Sequence, residues 1–163
     1  MDLTDKSLAE LLQLHVNINT ELRGRGVLRS ANTPTGDLAE YLFCKAFGWA
    51  QANNSVKSYD ATNDNGKKYQ IKARRLHTLN SSRQLSALRN LEDGGFDSLA
   101  GILFDSDYNI LRAAIVPHGL VLSNSTYVAH ANSHRFLLKD YIWEDETVLD
   151  VTNHIRKVFL EIK

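Results

Sequence analysis

Apolar positions along the chain recur at two periods, and the changes of period mark out the elements. Between Thr4 and about Leu22, the residues Leu8, Leu11, Leu12, Ile18 and Leu22 fall at helical spacing. This predicts an amphipathic helix capped by Thr4, with the leucine stripe buried. Arg23-Gly24-Arg25-Gly26 ends it, with Gly24 suited to the position just past a helix. Thr33-Pro34-Thr35 opens a second helix that runs to Phe47 and stops at Gly48. Leu38, Tyr41, Leu42, Phe43, Cys44 and Phe47 make that helix apolar on most sides. Trp49 to Val56 is short and polar, enough for one ragged strand. Tyr59-Asp60-Ala61 reads as the end of a strand, and Asn63-Asp64-Asn65-Gly66 as a tight turn folded at Asn65-Gly66. Lys68 to Arg74 alternates with period two. Tyr69, Ile71 and Ala73 then face the core, while Lys68, Gln70, Lys72 and Arg74 share the opposite face.

Asn80-Ser81-Ser82 offers caps for a helix reaching about Leu91, with Leu85, Leu88 and Leu91 on one side and Arg83 and Arg89 among the polar positions. Gly94-Gly95 breaks it. Ser98 to Phe104 is a continuous apolar run, read as a central strand covered on both faces. Asp105-Ser106-Asp107 makes a turn, and Ile110 to Val116 is its antiparallel partner. Pro117-His118-Gly119 starts a short helical or turn segment, and Thr126–Ala131 and Arg135–Leu138 are further short strands. A last helix is capped by Asp150 or Thr152 and turns Ile155, Val158, Phe159 and Ile162 to one side. No repeat or low-complexity run interrupts this order. The reading is one α/β domain over 1–163: a helix at 4–23, a core over about 35–104, and a C-terminal extension over 105–163.

Composition changes little in that picture. A chain of 163 residues is long enough to bury a proper core. Its net charge is zero, so bulk charge gives no reason to expect nucleic acid. The distribution is less even. From Asn65 to Leu91 there is no acid, but there are Lys67, Lys68, Lys72, Arg74, Arg75, Arg83 and Arg89. Acids gather instead at Asp140, Glu144, Asp145, Glu146 and Asp150. Such asymmetry sets up a local positive field on a neutral protein. Cys44 is the only cysteine, which excludes an internal disulfide and a thiolate zinc cluster. Without a signal peptide or a long apolar run, the expectation is a cytoplasmic protein with no membrane partner.

The candidate chemistry lies at the hairpin. Folding at Asn65-Gly66 brings Asp60 beside Gln70 and Lys72, so that a carboxylate, an amide oxygen and an ammonium converge. That is a cradle for a hydrated divalent cation and a phosphate. The plainer alternative makes Asp60 a turn cap, and Gln70 and Lys72 the solvent face of an ordinary strand. Glu40 interrupts the greasy second helix. It is either an exposed helix glutamate or a carboxylate aimed inward at a metal or at Lys72, since burying it unpaired is costly. Arg23, Arg25 and Arg29 lie in a loop that is either a solvated connector or a phosphate-contacting arm. His15, His118 and His130 lack partners at ligand spacing, and His134-Arg135 is a further candidate contact.

The order of these elements resembles the αβββαβ core of the PD-(D/E)XK nuclease superfamily, the restriction-endonuclease-like fold. Helix with Glu40, weak strand, strand with Asp60, turn, strand with Gln70-Ile71-Lys72, basic helix and apolar strand follow one another over about Thr35 to Phe104. Asp60 matches the motif's Asp, Lys72 its Lys and Glu40 its upstream carboxylate, while Gln70 stands where Glu is usual, as in the Mrr-like branch. The resemblance implies a Mg²⁺-dependent DNA endonuclease of restriction or defence type, with Mn²⁺ able to substitute. Glu40, Asp60, Gln70 and Lys72 would be catalytic, and Glu40, Asp60, Gln70 and the Ile71 carbonyl would hold the metal. Arg74, Arg75, Ser81, Ser82, Arg83 and Arg89 would contact double-stranded DNA, and a homodimer would supply two sites for two strands. The alternative is a relative that keeps the fold and binds DNA without turnover, as an accessory or regulatory protein.

Overall fold

The hydrophobic pattern is realised as a mixed α/β structure built on one six-stranded sheet. The computed structural model describes residues 2–53 and 58–162, and the part of the expected ragged strand at 54–56 lies outside them. Helices α1 (Leu8–Gly24) and α2 (Pro34–Phe47) lead into short strands β1 (Ala50–Gln51) and β2 (Ala61–Thr62) and the longer β3 (Lys68–Arg75). After a crossover come β4 (Ser98–Phe104), β5 (Ile110–Pro117) and α3 (His118–Ser123). The chain ends with β6 (Ser125–Val128), β7 (Ser133–Phe136), β8 (Leu149–Asp150) and α4 (Thr152–Glu161). The sheet order is β1-β2-β3-β4-β5-β8; β3 and β4 are parallel, and the other neighbours antiparallel. β6 and β7 form a separate two-stranded ribbon. Among the described residues, no helix is long and apolar enough to cross a membrane.

The run Ser98–Phe104 is the central strand that its composition predicts, buried at every position. Ala100, Ile102 and Phe104 pack with α2 and α4 through Leu42, Phe43 and Ile155. Leu99 and Leu103 turn the other way, toward Leu85, Leu88, Phe136 and Leu138. Gly101 lies on that second face. A Cβ there would stand 2.9 Å from Leu138 Cδ2 and 3.5 Å from Leu85 Cδ1, so the layer's close approach depends on glycine.

Helix α2 starts at Pro34 and ends at Gly48, whose φ of 66° is the left-handed stop the sequence suggests. In the hairpin, the turn is closed one residue earlier than expected. Gly66 N–H donates to the Asn63 carbonyl, Asn63 Oδ1 accepts from Asn65 and Lys67, and Gly66 supplies the positive φ. α4 is capped by neither expected residue: its N-cap is Val151, without a side-chain capping bond, while Thr152 Oγ1 donates to Asp150 Oδ1 and accepts the Ala113 N–H, tying the helix to β5.

Two expectations fail. The segment Asn80–Leu91 is not a helix; only Leu91–Asp93 forms a single tight turn. Leu85 N–H donates to the Phe136 carbonyl, and Leu88 exchanges backbone hydrogen bonds with His134. The chain therefore runs extended beside β7, which offers ladder partners in place of helical ones. Its leucines are buried as the pattern requires, against the second face of the sheet. The other failure is the first helix. Its cap is Ser7, in a reciprocal capping box with Glu10, rather than Thr4. Gly24 is still helical, and the positive φ falls at Gly26. None of its residues is buried, so the stripe Leu8, Leu11, Leu12, Ile18 and Leu22 does not enter this core.

Candidate functional site

Asp60 sits where β2 parts from β3. The β2–β3 ladder pairs Thr62 with Lys68 and Ala61 with Tyr69, and Asp60 N–H still donates to the Tyr69 carbonyl. One step further on, the Asp60 side chain replaces the diverging strand: its Oδ2 accepts the Ile71 N–H at 2.6 Å. A backbone donor that the split would leave unsatisfied is thereby capped. The same oxygen accepts from Gln70 Nε2 and lies 3.9 Å from Lys72 Nζ. The side chains of Asp60 and Lys72 are each one-fifth exposed. The hairpin therefore gathers Asp60, Gln70 and Lys72 as the sequence spacing suggests. Gln70, however, is buried rather than solvent-facing, because the crossover covers much of that side of the sheet.

Glu40 approaches from α2. Its Oε2 accepts from Gln51 Nε2 at 2.7 Å and lies 3.6 Å from Arg29 Nη1. Loss of solvent raises its pKa above the ordinary glutamate value, and the nearby negative charges of Asp60 and Asp37 push the same way. Glu40 is half-buried rather than an exposed helix glutamate, and its partners are Gln51 and Arg29, not Lys72. Glu40 and Asp60 both line a cavity of about 300 Å³ that is also walled by Arg29, Ser30, Asp37 and Tyr59.

Arg29 and Asp37 complete the site beyond what periodicity could show. Asp37 Oδ2 accepts the backbone N–H groups of Arg29 and Ser30, both at 2.8 Å, and the Ser30 hydroxyl at 3.0 Å. This anchors the loop to the first turn of α2, and Arg29 Nη2 then reaches the Ala52 carbonyl. The loop arginine is thus held over the cavity rather than waving in solvent. The pairing spans seven to eight residues without a periodic signal, so nothing local in the sequence announces it.

The donor set is all oxygen and nitrogen, and its oxygens suit a hard cation. Among the described residues, no group of three or more His, Cys, Asp and Glu side chains gathers to hold a metal. A cation here would be held by two carboxylates and neutral oxygens. Rotating the terminal amide of Gln70 exchanges its nitrogen for its oxygen without moving the backbone. Gln70 can therefore cap Asp60, as it does here, or stand beside it as an oxygen ligand. The Ile71 carbonyl shares the strand edge of its N–H, the edge that faces Asp60.

The basic residues divide. Arg83 Nη1 is bound by Asp140 at 2.7 Å, a carboxylate shared with Arg112 at 2.9 Å. Arg75 donates to the Ser106 carbonyl and stacks over Tyr108, 4.5 Å from its ring centre. Arg74 donates to the Ser82 carbonyl. Ser81, Ser82 and Arg89 are exposed on the extended crossover, not on a helix. The acid-rich C-terminal third thus folds back to neutralise part of the basic tract. Of the histidines, His118 is structural, bonded to the Leu91 carbonyl, and His134 is buried 3.6 Å from Glu92. Comparison with known protein families and with curated proteins finds no match to this chain.

Proposed function

We propose that the chain is a divalent-metal-dependent DNA endonuclease, of restriction or defence type, built on a restriction-endonuclease-like core. The observation that carries the reading is the meeting of Asp60, Gln70 and Lys72 at the β2–β3 fork, with Glu40 sharing a cavity wall with Asp60. The order α2-β1-β2-β3-β4 with parallel β3 and β4 supports the core. An extended crossover stands where that core has a helix.

In this reading, Asp60, Glu40, the Gln70 amide oxygen and the Ile71 carbonyl hold Mg²⁺ or Mn²⁺, which polarises phosphate oxygen and eases ionisation of bound water. Lys72 places an ammonium beside the reacting phosphate, where it offsets negative charge as the phosphorus gains its fifth oxygen. Arg29 grips a non-bridging oxygen in the same cavity. Arg74, Arg75, Ser81, Ser82 and Arg89 contact the backbone of double-stranded DNA and fix its register without reading bases. Arg83 belongs with the structural ion pairs. Cleaving both strands calls for two such sites, hence two copies.

A second reading has its own observation. Gln70 donates to Asp60 where a third carboxylate would repel it, and that closed pairing suits a DNA-binding accessory protein without turnover. Incubating supercoiled plasmid with Mg²⁺, with Mn²⁺ or with chelator separates the two. The nuclease reading expects metal-dependent nicking that Asp60→Ala abolishes; salt-sensitive DNA binding with no cleavage in either metal supports the second.

A further inference from the structure

Helix α1 carries an apolar face that the rest of the described chain leaves uncovered. Leu8, Leu11, Leu12, Val16, Ile18 and Leu22 fall on one side of its axis at 100° per residue. Leu8, Leu12 and Ile18 are 74%, 58% and 58% exposed, and no residue of the helix is buried. An apolar face of this kind, interrupted by His15 and Asn19, marks a contact surface and not scattered surface leucines. Within it, Leu8, Leu11, His15, Ile18 and Leu22 alternate by three and four, the spacing of a two-helix seam. A lone helix of 17 residues is marginal in water, so the face needs an occupant.

We propose that the occupant is α1 of a second copy, packed antiparallel to make a homodimer. Charge favours this arrangement. Beyond the Lys6–Glu10 pair, the amino end of the segment holds Asp2 and Asp5, and beyond the Arg25–Glu21 pair the carboxyl end holds Arg23. Antiparallel pairing sets each acidic end against a basic one and opposes the helix dipoles, whereas parallel pairing stacks like on like. The same face does not fit an anionic membrane: the opposite side carries Glu10, Gln13, Asn17 and Thr20 instead of a row of lysines. Setting Leu11 against the partner's Leu22 brings His15 onto the partner's Ile18 and keeps the seam in register over its length.

Sedimentation of the full chain tests this. Wild type is expected to sediment as a dimer at micromolar concentration. Leu11→Asp combined with Ile18→Asp should weaken association about 100-fold or more and give monomer. The core should stay folded, since neither side chain enters it, while the helical circular dichroism falls by no more than the share of α1 as that helix loses its partner. A wild-type monomer, or a dimer that survives the double substitution, overturns the proposal and assigns the face to another occupant. Orientation is read in a Cys44→Ala background. Leu11→Cys together with Leu22→Cys should oxidise to a covalent dimer, and either alone should not; cross-linking by Leu11→Cys alone contradicts the antiparallel arrangement. The proposal stands apart from the nuclease reading, because a dimer without cleavage, or cleavage by a monomer, separates them.

Discussion

At the scale of single residues, the site is a set of opposing demands on two carboxylates. Burial raises the pKa of Glu40, so its ionised form costs the folded state stability. The sign follows directly. The contribution favours folding below the unfolded glutamate pKa, about 4.3, and is lost as pH rises through the higher folded value. Glu40→Gln is therefore expected to unfold at a higher temperature than wild type at pH 7. The difference should close as pH falls below about 4, and metal-dependent activity should drop at both. Thermal melts across that pH range check the stability half. Gln70→Glu makes the opposite exchange. It removes the donor to Asp60 and sets two carboxylates side by side, at a cost of about 1–3 kcal/mol in chelator. Mg²⁺ should restore the lost stability, so a melting temperature that rises with Mg²⁺ more steeply than in wild type is the expected signature. No difference in that response would argue against Gln70 as a metal ligand.

At the scale of elements, the same leucine spacing led to two different outcomes, and the reason is the company each segment keeps. Leu85 and Leu88 are buried as their pattern demands, yet as part of an extended run, because β7 supplies hydrogen-bond partners from a region 45 or more residues later. Periodicity reports burial and is silent about a distant strand. Hydrogen exchange should show the Leu85 and Leu88 amides protected and those of Ser81 and Ser82 unprotected, and uniform protection from 81 to 91 would contradict the extended crossover. Gly101→Ala tests the packing above it: the 2.9 Å approach to Leu138 makes a loss of about 1–3 kcal/mol the expected result in chemical denaturation. Whereas β2 covers Ala61–Thr62 in place of the expected Tyr59–Ala61, the second strand of the hairpin, β3, and the central β4–β5 pair were legible in the sequence. Each is bounded by local turn chemistry or is apolar throughout, so nothing far away could reassign it. The convergence of Asp60, Gln70 and Lys72 was legible for the same reason, as a matter of hairpin geometry. Arg29 was not, because what holds it is the Asp37 carboxylate and not a repeat.

At the scale of the whole molecule, zero net charge conceals a folded distribution in which acids late in the chain return to basic residues in the middle. Asp140 clamps Arg83 and Arg112 together, and these bonds hold its pKa below the ordinary aspartate value. Arg83→Ala is expected to disturb the fold more than DNA affinity. Arg89→Ala should leave the fold alone and weaken binding evenly across sequences, with a shallower salt dependence by about one phosphate contact. If two copies join through α1, the Leu11→Asp, Ile18→Asp chain should nick plasmid where wild type linearises it.

Hydrolysis at the fork of Asp60 and Lys72 is tested most directly by single-turnover cleavage of supercoiled plasmid by wild type and Lys72→Ala at saturating enzyme. Folding of the variant is verified by its circular dichroism. A hydrolytic fork gives cleavage that requires Mg²⁺ or Mn²⁺ and falls by about 100-fold or more when the ammonium is removed. Equal cleavage by the two proteins, or none by wild type in either metal, would contradict it.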